Sequence, residues 1–310
     1  MRKFVGKTFI YLLLLLVVIF TVGYTIPFNP KSFTREQLVK NRLLSNPDRM
    51  PSVVLVGGSS VVYGFQTPIL IDSLAQPVIN DGMQAGLGLK FSIDNCTRFL
   101  IPGDTLIIIS EYSHFFEKSA WGQLYLADLF YLSPKEFLPL LNIQQIKSII
   151  NNTPRHIQSK ITYLLTSLIN SSEQSGYTLS SFNDFGDKVD HYGVPNVDFY
   201  YELPIKEHTD EVNYRYFKIL NKQIETLESK GVRVLLFPAP MAESFYISER
   251  VNVDYVKKQM ELQHHAFMCE PKECVYADSL FYDSYYHLNY EGSRLNSIKL
   301  ANTLKGASNK

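Results

Sequence analysis

The fold is decided by the stretch Val53-Val54-Leu55-Val56-Gly57-Gly58-Ser59-Ser60, a short apolar run that ends in a glycine-serine turn before Val61-Val62-Tyr63-Gly64. Because most of the apolar residues are β-branched, the run predicts a fully buried strand. The glycines allow a tight turn and a close approach of the backbone to a ligand, and Ser59 would begin the following helix near the positive end of its dipole. Ligands of open α/β sheets bind at the carboxyl ends of the strands. We therefore expect the functional site at this turn.

Other short apolar runs alternate with helical patterns along the chain. The further strands are predicted at 77–80, 105–109, 232–237 and 275–277. The main helical patterns lie at 67–74, 89–100, 209–230, where Thr209 can cap the helix, and 249–268. Strands separated by helices predict an α/β fold with a mainly parallel sheet and helices on both of its faces.

Residues 117–205 interrupt this alternation and divide the predicted domain at 51–305. The segment is rich in scattered aromatic, Asn and Ser residues, and 144–169 is its best helical candidate. A Gly-Asp-Lys-Val-Asp-His-Tyr-Gly-Val-Pro run near its end is typical of a loop. The insertion either forms a lid or one wall of the cleft, or is ordinary helical packing between the third and fourth strands.

The N-terminus carries a basic flank and then a long apolar stretch. Arg2, Lys3 and Lys7 precede residues 9–26, which contain no charge, and such a helix extends about 27 Å, enough to cross a hydrocarbon core. A cleaved signal peptide competes with an uncleaved anchor, but the stretch has no Ala-x-Ala site at its end. We therefore predict a single-pass anchor at 1–27 and a stalk at 28–50. The rest of the chain would be extracytoplasmic, because the basic flank stays inside.

The composition limits the class of partner. The chain has 310 residues with 30 basic and 30 acidic side chains, so it offers no general surface for nucleic acid, and a hydrophobic content of 45% allows a sizeable core. The 20 Tyr and 20 Phe residues are interpreted either as core packing or as a sugar-contacting cleft.

The three cysteines give a weak signal. Cys269 and Cys274 enclose a short hydrophilic loop that a disulfide could close in an oxidising compartment. Cys96 would then have no cysteine to pair with. His264 and His265 lie nearby, but no second Cys/His pair follows at zinc spacing, so we predict no metal site.

A second stretch with chemical potential lies near the C-terminus, in Phe281-Tyr282-Asp283-Ser284-Tyr285-Tyr286-His287-Leu288-Asn289. Asp283 can orient the imidazole of His287 and stabilise its charged form, while His287 can accept a proton from a serine elsewhere in the chain. These are the roles of a serine triad, which recurs on unrelated folds.

These motifs together resemble the SGNH/GDSL hydrolase superfamily, on residues Gly57-Gly58-Ser59, Asn80-x-Gly82 and Asp283-x-x-x-His287-Leu-Asn289 with Gly292. The nearest resemblance is to the membrane-anchored branch that modifies cell-envelope polysaccharides by O-acetylation or D-alanyl transfer. It covers roughly 50–117 and 205–304. The resemblance implies a flavodoxin-like three-layer α/β/α fold and a reaction that uses no cofactor.

The resemblance also implies roles for individual residues. Ser59 would be the nucleophile, with Ser60 as the alternative, His287 the base and Asp283 its orienting acid. The oxyanion hole would combine the amides of Ser59 and Gly82 with an Asn side chain that follows the third strand. That Asn is missing, because Ser110-Glu111-Tyr112-Ser113 stands in its place. Tyr112 is the substitute donor that we predict, and Glu111 and Asn289 are predicted to contact substrate.

The resulting expectation is a membrane-anchored acyl esterase or O-acyltransferase with a Ser-His-Asp triad. Its substrate would be a carbohydrate or acyl ester of cell-envelope or exported polysaccharide. A transferase would also need a membrane acyl-donor protein as a partner. The alternative is an SGNH-like carbohydrate-binding or assembly protein with impaired chemistry, since the third oxyanion donor is missing. A nucleotide-binding domain is disfavoured, because the first turn lacks Gly-x-Gly-x-x-Gly and no phosphate-binding Lys follows it.

Overall fold

The computed structural model describes residues 2–25, 27–169, 178–196 and 213–308. Its helices are α1 (Arg2–Thr25), α2 (Glu36–Leu44), α3 (Ser59–Val62), α4 (Thr67–Leu74), α5 (Leu89–Thr97), α6 (Glu117–Ala120), α7 (Leu124–Leu132), α8 (Pro134–Phe137), α9 (Ile143–Ile169), α10 (Tyr214–Ser229), α11 (Glu243–Leu262) and α12 (Tyr290–Ser308). Its strands are β1 (Val53–Gly57), β2 (Val78–Asn80), β3 (Thr105–Ser110), β4 (Arg233–Pro238), β5 (Met241–Ala242) and β6 (Val275–Tyr276).

The main sheet has four parallel strands in the order β2-β1-β3-β4. Val53 pairs with Val78 on one side and with Thr105 on the other, and Thr105 pairs with Arg233. The predicted α/β class and the mainly parallel sheet are confirmed. Because β2 and β3 lie on opposite sides of β1, the strand order reverses at β1, and a crevice opens between the carboxyl ends of β1 and β3.

The fifth predicted strand lies outside this sheet. β6 pairs with β5 in a separate two-stranded sheet, where Val275 is opposite Met241. Ala239 and Pro240 separate β4, which ends at Pro238, from β5, and proline has no N–H to continue a ladder. The chain therefore leaves the main sheet before β6 can join it.

Several predicted helices agree closely with the structure. α4 begins at Thr67 with proline in its first turn, as the sequence predicts. α11 begins six residues before the predicted position. The predicted cap Thr209 lies outside the described residues, and within them α10 is capped by Asn213, whose Oδ1 accepts a hydrogen bond of 3.0 Å from the amide of Tyr216. α5 packs against α10, and α4 packs against α12.

α2 lies within the segment that the sequence predicts as a stalk, and it is packed on the domain. Lys40 is fully buried and donates hydrogen bonds to the carbonyls of Gly82 at 2.6 Å and Gly186 at 2.8 Å. Gln37 donates to Oδ1 of Asp81 at 3.0 Å. One lysine of α2 thus joins the segment after β2 to the end of the insertion.

The predicted anchor at 1–27 overlaps α1 (Arg2–Thr25), while Met1 and Ile26 lie outside the described residues. Among the residues that the structure covers, no helix combines the length and the apolar character needed to cross a membrane, so the predicted transmembrane helix is unsupported.

The insertion contributes α6 to α9 and a returning loop at 178–196, while its remaining residues at 170–177 and 197–205 lie outside the description. α7 packs against α9. Between these two helices, Nδ1 of the buried His156 lies 2.6 Å from Oδ1 of Asp128.

The sulfurs of Cys269 and Cys274 are 3.9 Å apart, and both residues are free thiols.

Candidate active site

The turn after β1 brings Ser59 to the carboxyl end of the sheet. β1 is buried along its whole length, and Ser59 is the first residue of α3. Ser59 is partly accessible, whereas Ser60 is fully buried. Of the two serines, Ser59 is therefore the one that a substrate can reach.

Glu111, at the end of β3, holds this turn. Its Oε1 accepts a hydrogen bond of 3.1 Å from the hydroxyl of Ser59 and one of 2.9 Å from the amide of Ser60. Glu111 is only 4% exposed. A Cβ added to Gly58 would lie 2.5 Å from Glu111 Oε1, so the glycine is required for this close approach. The side chain that replaces the expected Asn thus binds the predicted nucleophile directly.

His114 is buried behind Glu111. Its Nε2 lies 3.1 Å from the carbonyl of Ala85, which can only accept, and its Nδ1 lies 3.3 Å from Ser110 Oγ. Burial lowers the pKa of His114, and the neighbouring Glu111 opposes that shift. Sequence reasoning gave this histidine no role, since nothing in its local pattern separates it from a core residue.

The structure brings Asp283 and His287 together in the loop before α12. Nδ1 of His287 donates a hydrogen bond of 2.6 Å to Oδ1 of Asp283, which leaves Nε2 of the ring to accept a proton. The ring of Tyr63 stacks on His287 with 4.0 Å between centroids and 6° between planes. Two contacts thus fix the orientation of the imidazole.

This loop is tied to the end of β3. The amide of Tyr112 donates a hydrogen bond of 3.2 Å to the hydroxyl of Tyr286, the neighbour of His287. Tyr63 follows Ser59 by one helical turn and contacts His287, so the serine and the histidine lie at the same edge of the sheet. The hydrogen bonds of the described residues include none between Ser59 and His287, because the Ser59 hydroxyl is directed to Glu111.

Of the two other predicted oxyanion donors, Gly82 uses its amide within the chain, whereas the buried hydroxyl of Tyr112 has no hydrogen-bond partner in the part of the chain that the structure describes. The amide of Gly82 donates to Oδ1 of Asn80 at 3.0 Å. Tyr112 is 3% exposed, and the pKa of its phenol is raised well above its ordinary value, first by burial and then by Cys274 and Cys269.

Asn289, predicted to contact substrate, occupies the N-cap position of α12. Its Oδ1 accepts a hydrogen bond of 3.0 Å from the amide of Gly292, and its amide group donates to the Ser279 carbonyl at 3.0 Å and to Asn196 Oδ1 at 3.1 Å. All of its polar groups are thus used within the chain.

The returning loop of the insertion supplies residues that sequence reasoning did not assign. Asp187 is buried and accepts hydrogen bonds from Thr67 and from Asn80. Lys188 and His191 line a cavity beside Asp283. The signal in the sequence that could have indicated them is the Asp-Lys-Val-Asp-His run, which places four ionisable side chains within five residues of one loop.

Comparisons with known proteins leave the family of this chain open. No protein-family model matches the chain, and no curated protein matches it.

Proposed function

We propose that this chain is a serine acyl esterase or O-acyltransferase of the SGNH type that acts on ester groups of cell-envelope or exported polysaccharide. The strand order β2-β1-β3-β4 corresponds to the start of the flavodoxin-like order, in which ligands bind at the β1/β3 switch point. A three-layer SGNH fold would place its nucleophile at this switch point. Ser59 lies there.

The observation that carries the proposal is the hydrogen bond of 2.6 Å between His287 Nδ1 and Asp283 Oδ1, in a loop tied to the end of β3. General acid–base catalysis at a serine hydroxyl needs a histidine whose tautomer is fixed by a carboxylate. Asp283 meets this requirement and leaves Nε2 of His287 available as a proton acceptor.

In the proposed reaction, the Ser59 hydroxyl turns from Glu111 to His287, loses its proton to Nε2 and attacks the ester carbonyl. The tetrahedral intermediate breaks its bond to the sugar oxygen, which takes the proton from His287, and an acyl-enzyme remains. Water or a second sugar hydroxyl, deprotonated by His287, then attacks the acyl group. The bond to Ser59 breaks, and the Ser59 oxygen takes the proton back from His287. Esterase and transferase differ only in this acceptor.

Labelling of the full chain with a fluorophosphonate probe, followed by mass spectrometry of the modified peptide, tests the proposal. We expect the label on Ser59 and its loss in Ser59→Ala. A label that persists in Ser59→Ala would move the nucleophile to Ser60. No label on the folded wild-type chain would reject the enzyme.

A second candidate function is a carbohydrate-binding or assembly protein without efficient chemistry. It is favoured by the Ser59–Glu111 hydrogen bond and by the use of the Gly82 amide within the chain. Loss of one oxyanion donor costs about 100- to 1,000-fold in rate. Binding of a glycan by a chain that takes no fluorophosphonate label would favour this function. The extracytoplasmic location and a membrane acyl-donor partner stay predictions of the sequence.

A further inference from the structure

A cavity of about 280 Å³ opens beside Asp283. It lies between the triad loop, which carries Asp283 and His287, and the returning loop of the insertion. Its lining includes Tyr63, Lys188, Asp190, His191, Tyr282 and Asp283. Sites for drug-sized ligands measure about 300 to 1,000 Å³. This cavity is therefore suited to a ligand group the size of one monosaccharide ring.

His191 lines this cavity and carries a buried ring nitrogen without a hydrogen-bond partner in the described part of the chain. The side chain is 3% exposed, and its Nε2 lies 3.1 Å from the carbonyl of Leu288. Because a carbonyl only accepts, Nε2 carries the hydrogen and Nδ1 is left as an acceptor. Nδ1 is buried and has no partner in the part of the chain that the structure describes. A buried acceptor without a partner is costly, and a ligand hydroxyl would satisfy it.

The charges around the cavity disfavour an anionic ligand. Asp190 and Asp283 face it with two carboxylates, whereas Lys188 supplies one ammonium group, which already forms an ion pair with Asp190. Burial lowers the pKa of His191 to about 4, so this ring is neutral at pH 7. A ligand carboxylate would meet a net negative wall and an Nδ1 atom to which it has no hydrogen to donate.

The aromatic residues complete the character of the cavity. The rings of Tyr63 and Tyr282 both contact His191, with centroid distances of 4.8 Å and 5.4 Å. Tyrosine combines an apolar ring with a polar tip, which suits the apolar faces and hydroxyl edges of a sugar.

We propose that this cavity binds one neutral, hydroxyl-bearing sugar ring, with a ring hydroxyl donating to Nδ1 of His191, and that it excludes uronic acids. This inference rests on the proposed function and specifies its substrate class: the sugar next to the reacting ester is neutral. Asp283 lines the cavity and is hydrogen-bonded to His287, so a bound ring would be separated from His287 by one side chain.

A titration of the full chain, labelled with ¹⁵N-histidine, tests this inference by NMR without any need for turnover. The probes are methyl glucopyranoside and methyl glucuronide. We expect the glucopyranoside to shift the Nδ1 resonance of His191 in a saturable manner, and the glucuronide to bind at least about tenfold more weakly, a difference of about 1.4 kcal/mol. Equal or tighter binding of the glucuronide, or no binding of the glucopyranoside, would overturn the inference.

A pair of variants from the same loop gives the control. His191→Phe keeps an aromatic ring against Tyr63 and Tyr282 but removes the acceptor, so we expect it to weaken glucopyranoside binding by about 2- to 12-fold, as expected for one neutral hydrogen bond. In this variant, and in the wild type for comparison, binding is followed by the ring ¹⁵N resonances of His287. Asp184→Asn changes an exposed residue outside the cavity and should bind as the wild type does. Unchanged affinity in His191→Phe would contradict the proposed contact.

The two proposals fail in different ways. A chain that binds the glucopyranoside but takes no fluorophosphonate label would reject the esterase and leave the sugar site in place. A chain that is labelled on Ser59 but does not bind the sugar would reject only the sugar site.

Discussion

The hydroxyl of Ser59 donates a hydrogen bond of 3.1 Å to Oε1 of Glu111, and the same oxygen accepts the amide of Ser60 at 2.9 Å. A carboxylate therefore occupies the position where the resemblance leads one to expect a neutral hydrogen-bond donor. It orders the turn, but its charge opposes an oxyanion that forms on a substrate attacked by Ser59.

Glu111→Gln is expected to increase the rate of fluorophosphonate labelling, by roughly tenfold or more. The amide oxygen can still accept from the Ser60 amide, the negative charge is removed, and the new NH₂ group can donate to an oxyanion. The measurement is the second-order labelling rate at pH 7. Glu228→Gln, an exposed change on α10, is the matched control and should label like the wild type. Slower labelling of Glu111→Gln would instead assign Glu111 a required role as proton acceptor.

His287→Phe is expected to reduce labelling of Ser59 by at least about 100-fold, because the variant keeps a ring that stacks on Tyr63 but removes the base. The chain provides its own control in His156, which forms the same 2.6 Å contact with an aspartate, Asp128, and stacks on Tyr131.

His156→Phe should leave the labelling of folded protein unchanged. It should also lower the free energy of unfolding by about 3 to 5 kcal/mol, because Asp128 would remain buried without its partner. Equal loss of labelling in both variants would show that the effect of His287→Phe is structural.

Gly58→Ala is expected to lower the free energy of unfolding by about 1 to 3 kcal/mol. The backbone at Gly58, with φ at −84°, is open to alanine, so the effect comes from the new Cβ, which would lie 2.5 Å from Glu111 Oε1. Urea denaturation measures it. Gly306→Ala, on α12, meets no atom within 4 Å and should be neutral or slightly stabilising. Equal stability of the two variants would contradict the close packing of Glu111 on this turn.

Asp81 should make the stability of the protein depend on pH. Burial raises the pKa of Asp81 from 3.8 to about 7, against the opposing effect of the Lys40 ammonium. The folded state thus binds the proton more tightly than the unfolded state, and the free energy of unfolding falls as the pH rises from about 4 to about 7.

Asp81→Asn removes this dependence. The stability of the variant relative to the wild type should therefore increase between pH 5 and pH 7, by about 2 kcal/mol. Asp48→Asn, at an exposed position, should show a difference that does not change with pH. A difference between Asp81→Asn and the wild type that is flat or decreases with pH would contradict the assignment.

Local pattern was sufficient for the elements of the sheet. β1 and β3 are runs of β-branched and other apolar residues that end in polar turns, and α4 has proline in its first turn, so each can be read from a few neighbouring residues. The contact between Asp283 and His287 was also predictable, because two side chains four residues apart in one loop can reach each other.

The contacts that define the site could not be predicted in this way. Ser59 and Glu111 are 52 residues apart, and their hydrogen bond depends on the register of two parallel strands. His191 reaches the carbonyl of Leu288 across 97 residues. Lys40 belongs to a charged segment whose composition indicates a solvated stalk, yet it is buried because carbonyls from two distant segments surround its ammonium group.

The position of Lys40 sets a limit on how the protein can be shortened. A chain cut at residue 51, where the sequence alone would place the start of the domain, would lose α2 and with it the ammonium group that donates hydrogen bonds to the carbonyls of Gly82 and Gly186. The returning loop, which carries His191, would then lose one of its attachments to the sheet. A truncated protein for crystallisation or labelling therefore has to begin before Phe33, where the buried part of this N-terminal segment starts.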